Sequence, residues 1–253
     1  MQGSTTILGF DQVYLDQSFL TTDSEWIDLS DIKNTFGYCT NQSLKVISTR
    51  LSSRRNRGII FIGSGNYHYV TYLLLAELQL PFTLVLFDYH TDMLPSLCPA
   101  LLSCGSWVLK ALAKLPLLKK VVLIGVRNDL ARAIPQQLRK KVTVFDSNYS
   151  FGEDTIKKAI IAAIPTSSVY LSIDKDVLAE TEAVTNWEQG NMGLAQLLEI
   201  IESIALYKKI CGIDVCGEYT VPLAERFYRK NRQAAKTNEQ ANQKILNTIL
   251  RVA

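Results

Sequence analysis

Six short apolar runs, rich in β-branched residues, recur along this chain: GIIFIG (58–63), FTLVLFD (82–88), KVVLIGV (120–126), KVTVFD (141–146), SSVYLSID (167–174) and KICGIDV (209–215). Near-continuous apolar character suits strands covered on both faces, the condition of a parallel sheet. Between the runs lie segments of helical periodicity at 41–55, 67–79, 105–115, 153–163, 193–207 and 233–250. Strand and helix alternate for most of the length, which predicts an α/β layered sheet. The 253 residues suffice for one such domain with a large buried core. No repeat, low-complexity tract or linker divides them, so residues 1–253 read as a single domain. Residues 11–40 show no clear period and read as loop-rich.

Charge and composition narrow the partners. Lys and Arg number 27 against 24 Asp and Glu, a net charge of +3. That excess is too mild to predict binding to nucleic acid or to an anionic membrane. No apolar run is long enough to span a bilayer. The first residues, MQGSTTILGF, lack a basic segment followed by a long apolar one, so no secretory signal is read there. The five cysteines are Cys39, Cys98, Cys104, Cys211 and Cys216. Odd in number and without a CxxC pair, they read as reduced thiols of a cytoplasmic protein. The stretch ERFYRKNRQAAKTNEQ (225–240) is locally basic. It reads either as a solvated helix face or as a subunit contact of a homo-oligomer.

The chemistry concentrates at strand ends. In an open parallel sheet, ligands bind beyond the carboxyl ends of the strands. Three polar clusters fall at such ends: GSGNYHY (63–69) with His68, DYHTD (88–92) with Asp88, His90 and Asp92, and SIDKD (172–176) with Asp174 and Asp176. Residues i and i+2 at a strand end point to one side, so Asp88 can converge with His90, and Asp174 with Asp176. Four carboxylates packed together repel one another, and bound cations relieve that repulsion. Any one of these residues alone is as readily a helix cap or a core hydrogen-bond partner. Yet the chain has only two histidines, and both fall in the clusters. Oxygen-rich ligation with two imidazoles suits a six-coordinate ion such as Mn²⁺ better than tetrahedral zinc.

In this order, the three clusters resemble the marks of the arginase, or ureohydrolase, family: a GGDHS-like segment, a D-A-H-x-D segment and an S-x-D-x-D segment. GSGNYHY is a degenerate form of the first, DYHTD departs from the second by Tyr89, and SIDKD matches the third. IGVRND (124–129) also resembles the family's G-L-R-D turn. The resemblance spans residues 58–217. It implies a three-layer α/β/α sandwich around a mainly parallel sheet of about eight strands. TTILGF (5–10) and one more segment would complete that sheet. It also implies two Mn²⁺ ions held by His68, Asp88, His90, Asp92, Asp174 and Asp176.

The departures from the family pattern bear on substrate. The place of the family's proton-shuttling histidine, within LLSCGSW (101–107), holds Cys104. Cys104 reads either as a small buried residue or as a proton donor or nucleophile that forms a covalent amidino intermediate. A nearby helix start and cations would lower its thiol pKa, and the carboxylates would raise it. The family's guanidinium-gripping glutamate follows an aspartate by three residues. Here DVCGEY (214–219) puts Gly217 at that spacing and Glu218 one later, so Glu218 serves only through a local bulge. Leu130 replaces an aspartate that helps hold the amino-acid head group in arginase, which disfavours arginine itself. Asn66, Tyr67, Tyr89 and Trp187 are candidate pocket walls, although ordinary packing accounts for the aromatics equally well.

The implied activity is manganese-dependent hydrolysis of a C–N bond in a small, cationic, linear guanidino or amidino compound. Metal binding brings a water to hydroxide near neutral pH, and the hydroxide attacks the trigonal carbon. Asp92 would orient it and pass its proton toward the leaving nitrogen. Two other readings stand beside this one. The first is a metal-dependent amide deacetylase of related fold that uses a single zinc. The second is a non-catalytic homologue that kept the fold and the metals.

Overall fold

The computed structural model describes residues 5–15, 17–20, 24–56, 58–96 and 98–252. Its centre is an eight-stranded sheet. In chain order the strands are β1 (Thr5–Gly9), β2 (Glu25–Asp28), β4 (Ile59–Gly63), β5 (Phe82–Phe87), β7 (Leu118–Val126), β8 (Val142–Asp146), β9 (Ser168–Asp174) and β10 (Lys209–Cys216). Their spatial order is β2-β1-β4-β10-β9-β5-β7-β8, and every pairing is parallel. The short strands β3 (Tyr38–Thr40) and β6 (Leu101–Ser103) pair antiparallel as a separate ribbon.

Alternate residues of one strand feed two different cores. Val85 and Phe87 of β5 join Phe61, Leu171, Ile173 and Ile213 on one face of the sheet. Leu84 and Leu86 join Ile60, Ile62, Val121 and Leu123 on the other. The first core is closed by α5 (Asp154–Ala162), α6 (Leu194–Tyr207) and α7 (Arg229–Val252). The second is closed by α1 (Asn41–Ser52), α2 (Val70–Ala76), α3 (Trp107–Lys114) and α4 (Asn128–Ala133). The result is the three-layer sandwich expected from the sequence. Burial on both faces explains why β4 and β5 lack a polar alternation.

All six apolar runs form strands, and TTILGF supplies β1. The eighth strand corrects the loop-rich reading of 11–40. β2 lies inside that segment, and its four residues alternate between half-buried and exposed at the sheet edge. The helix expected at 233–250 begins earlier, at Arg229, so the basic stretch 225–240 runs into the first turns of α7. No described helix is long and apolar enough to cross a membrane.

The strand order places the site. After β4 the chain crosses to β5, leaving two positions that β9 and β10 later fill. Such a reversal opens a crevice at the carboxyl ends of the flanking strands, where ligands bind in folds of this type. The ends of β4, β10, β9 and β5 lie side by side there.

Candidate metal centre

Each cluster from the sequence arrives at this crevice on its own strand. His68 follows a 3-10 turn, Gly65–Tyr67, after β4. Asp88 comes directly after β5, with His90 and Asp92 beyond it. Asp174 closes β9, and Asp176 lies in the next 3-10 turn, Lys175–Val177. Asp92 adopts a φ of 50°, a left-handed conformation that Asp tolerates better than most residues. The Trp107 indole N–H then donates to Asp92 Oδ2 at 2.5 Å.

The six side chains converge. His68 Nδ1 lies 3.1 Å from Asp92 Oδ2, 3.4 Å from Asp88 Oδ2 and 3.5 Å from Asp174 Oδ2. His90 Nδ1 lies 2.8 Å from Asp176 Oδ2 and 3.4 Å from Asp88 Oδ1. Two compact donor groups result: His68 with Asp88 and Asp92, and His90 with Asp88 and Asp176. Asp88 belongs to both and turns one oxygen toward each imidazole.

Hydrogen bonds around the cluster fix its orientation. Ser172 Oγ donates to Asp214 Oδ1 at 2.7 Å, so it accepts from His68 Nε2 at 2.9 Å. Tyr170 donates to the other Asp214 oxygen at 2.8 Å. The proton of His68 is thereby held on Nε2, and the Nδ1 lone pair faces the carboxylates, as a metal ligand requires. Backbone N–H groups hold the carboxylates. His90 N donates to Asp88 Oδ1 at 2.6 Å, Tyr89 N to Asp176 Oδ1 at 2.9 Å, and Asp176 N to Asp174 Oδ1 at 3.0 Å.

The residues fit a pair of divalent cations. Asp88 Oδ2 is buried and has no hydrogen-bond partner among the described residues, and a cation would satisfy it. Burial, and then the charge of a neighbouring carboxylate, raises the pKa values of Asp88 and Asp174, and brings Asp176 up to about 6. Burial likewise raises that of Asp92. Burial opposes the charged form of His90, yet its bonds to Asp176 and Asp88 outweigh this and lift it to about 11. The cluster is short of positive charge, and cations would supply it without protons.

The cleft above this cluster has a volume of about 720 Å³. Asn66, Cys104 and Trp187 line it, as expected from the sequence. Trp187 meets the His90 ring edge-on at 5.8 Å. Burial, and then the Asp92 charge, push the Cys104 thiol up to about 12.

Three expected pocket residues lie elsewhere. Tyr67 stacks on Phe10 at 4.2 Å within the apolar core. Tyr89 does not line the cleft; its ring meets the His90 ring edge-on, and its carbonyl accepts from Arg127 N at 2.9 Å. Glu218 is carried away entirely. β10 shifts register against β4 between Val215 and Cys216, but this irregularity does not turn Glu218 to the cleft. Gly217, with φ of 90°, redirects the chain, and Glu218 is buried against Lys175, Asn242, Asn238 and Gln17.

The sequence reading also missed contributors. Cys216, read there only as a reduced thiol, donates to Asp174 Oδ2 at 3.1 Å and forms a third compact group with His68 and Asp174. Ser172 and Asp214 were visible only as i−2 neighbours of Asp174 and Cys216, on the same side of β9 and β10.

A parallel α/β sheet here gathers four carboxylates and two imidazoles at the ends of its central strands, in groups that could hold metal ions. The chain belongs to the arginase family, whose model matches residues 4–236. An uncharacterized protein of Thermotoga maritima is 34% identical over 212 residues, covering 84% of this chain and 78% of that protein. Proclavaminate amidino hydrolase of Streptomyces clavuligerus superposes with a TM-score of 0.71 at 18% identity, over 99% of this chain and 92% of that one. Formimidoylglutamase of Bacillus subtilis superposes with a TM-score of 0.68 at 15% identity, over 98% and 87%. At those identities the likeness is one of fold.

Proposed function

We propose that this protein is a manganese-dependent hydrolase that cleaves a C–N bond of a linear guanidino or amidino compound other than arginine. The observation that carries the reading is Asp88, whose two oxygens face two different imidazoles. One ion would be held by His68, Asp88, Asp92 and Asp174, and a second by Asp88, His90, Asp174 and Asp176. When bound, such ions acidify water and polarise a trigonal carbon.

The chain's own residues divide the remaining work. Asp92, held by Trp107, takes a proton from the attacking water and returns it to the leaving nitrogen. The Asn66 amide donates to Ser64 Oγ at 3.0 Å, which leaves its carbonyl oxygen free to accept a substrate N–H. Cys104 stands at the cleft wall, in the place of a proton relay. The five free cysteines support a reducing, cytoplasmic setting. Family membership and the amidino hydrolase neighbour support the reaction class.

The test is to load the purified chain with Mn²⁺, count metal by elemental analysis, and screen guanidino and amidino compounds for release of urea or ammonia. Two ions per chain with release supports the reading. One zinc per chain with amide cleavage would favour the deacetylase. Two ions and no release across the panel would leave a non-catalytic homologue.

A further inference from the structure

The floor of the metal cleft is charged, and much of its mouth is apolar. Above the carboxylates the walls are Phe36, Tyr38, Leu94, Leu130 and Trp187. Four of these are large apolar side chains left open to solvent: Phe36 is 62% exposed, Tyr38 56%, Leu94 61% and Trp187 41%. They come from three separate segments: the approach to β3, the loop after β5 and the loop after β9. Exposed apolar residues scattered singly need no explanation, but a ring of them around one cleft marks a binding surface.

The cation at the mouth is already engaged. Arg127 donates from Nε and Nη2 to Asp129 at 2.6 and 2.9 Å, and from Nη1 to Glu188. These bonds leave a carboxylate on a ligand no evident cationic partner among the described residues of the rim, and the Glu188 carboxylate itself stands 70% exposed to water, away from the apolar walls' cover. Leu130 follows Asp129 on the same wall. A cleft of about 720 Å³ is also larger than an amidino group requires, so a further part of the ligand lies against these walls.

Resting on the hydrolase reading above, we infer that the substrate carries an uncharged alkyl or aryl tail beyond its amidino or guanidino carbon. That tail packs on Phe36, Tyr38, Leu94, Leu130 and Trp187.

Calorimetric titration of the manganese-loaded full chain tests this. The probes are n-butylguanidine, 4-aminobutylguanidine, arginine, and n-alkylguanidines from ethyl to hexyl. Affinity should rise about 2- to 4-fold per methylene. n-Butylguanidine should bind at least about tenfold tighter than 4-aminobutylguanidine or arginine, whose charged ends would be desolvated against the apolar walls. Leu130→Asp should narrow or reverse that preference with manganese content unchanged. Phe36→Ser, at an exposed position, should shrink the gain per methylene. A flat chain-length series, or tighter binding of the charged-ended probes, overturns the inference. If no guanidine binds although two ions are present, the hydrolase reading falls and takes the tail with it. If the series is flat and sedimentation shows a dimer that Phe36→Ser dissociates, the surface belongs to a second copy of the chain, and the inference is overturned.

Discussion

Lys175 donates from its ammonium to the Glu218 carboxylate, and both side chains are sealed from solvent. Asn242 donates to the same carboxylate at 2.7 Å, and Gln17 donates to it at 3.0 Å. The pair ties the turn after β9 to the end of β10, the N-terminal loop and α7. Removing one member strands a buried charge, so Glu218→Gln or Lys175→Met should each cost about 3–5 kcal/mol. The double variant should recover part of that loss. Urea unfolding measures it, and a loss below about 1 kcal/mol in both single variants would remove the pair from the fold's supports.

Ser172→Ala takes away the acceptor that keeps the His68 proton on Nε2. The ring then loses its preferred tautomer and orientation. Manganese affinity should fall about 10- to 100-fold, and fold stability should fall by about 1–3 kcal/mol because Asp214 Oδ1 loses its buried donor. A titration that gives the parent affinity would show that Ser172 does not orient His68.

Asp88 and Asp176 make different demands on the two ions. Asp88→Asn should deplete both, because its oxygens face both imidazoles. Asp176→Asn should deplete only the ion on the His90 side. Elemental analysis after gel filtration distinguishes the outcomes, and equal depletion by both variants would contradict the division. Added Mn²⁺ should also raise the melting temperature of the parent chain, by about 2.7 kcal/mol of stability at a hundredfold excess over Kd.

Asp11 gives stability a pH dependence remote from the ligands. One of its oxygens is buried with no hydrogen-bond partner among the described residues. Burial, opposed by a bond from Val13 N and reinforced by the Glu218 charge, lifts it to about 6. Arg226 lies close by and donates to the backbone carbonyls of Asp11 and Gln12. The folded-state value stands above the unfolded one of about 3.9, so the unfolded chain gives up this proton first. Stability is therefore lost as pH rises from about 4 to 6, and the loss persists above that range. Asp11→Asn should match the parent near pH 4 and exceed it above pH 6, by on the order of 1–3 kcal/mol. Melting curves across that range would refute the idea if the gap between the two proteins stayed constant.

Most of the sheet was legible because doubly buried strands have to be apolar throughout. β2 escaped because an edge strand of four half-exposed residues carries no such demand. α4 escaped because it is six residues long and buries none of them fully. The six candidate ligands were legible because a period of two at strand ends brings them to one side. Cys216 was not, because its place beside Asp174 comes from the pairing of β10 with β9, a relation between distant residues. Glu218 was not, because one left-handed residue before it decides which side of the sheet it reaches.

That residue, Gly217, also limits what this chain can become. A Cβ there would lie 2.5 Å from Asp174 Oδ1 and 2.7 Å from Lys175 N. The family pattern places its guanidinium-binding glutamate at this position. Any side chain introduced here would displace Asp174 before it could meet a substrate. Gly217→Glu alone should therefore lose metal affinity before it gains any contact with a substrate. The β9 and β10 turns would have to be remodelled first, so this one glycine sets what a side chain at the end of β10 can reach.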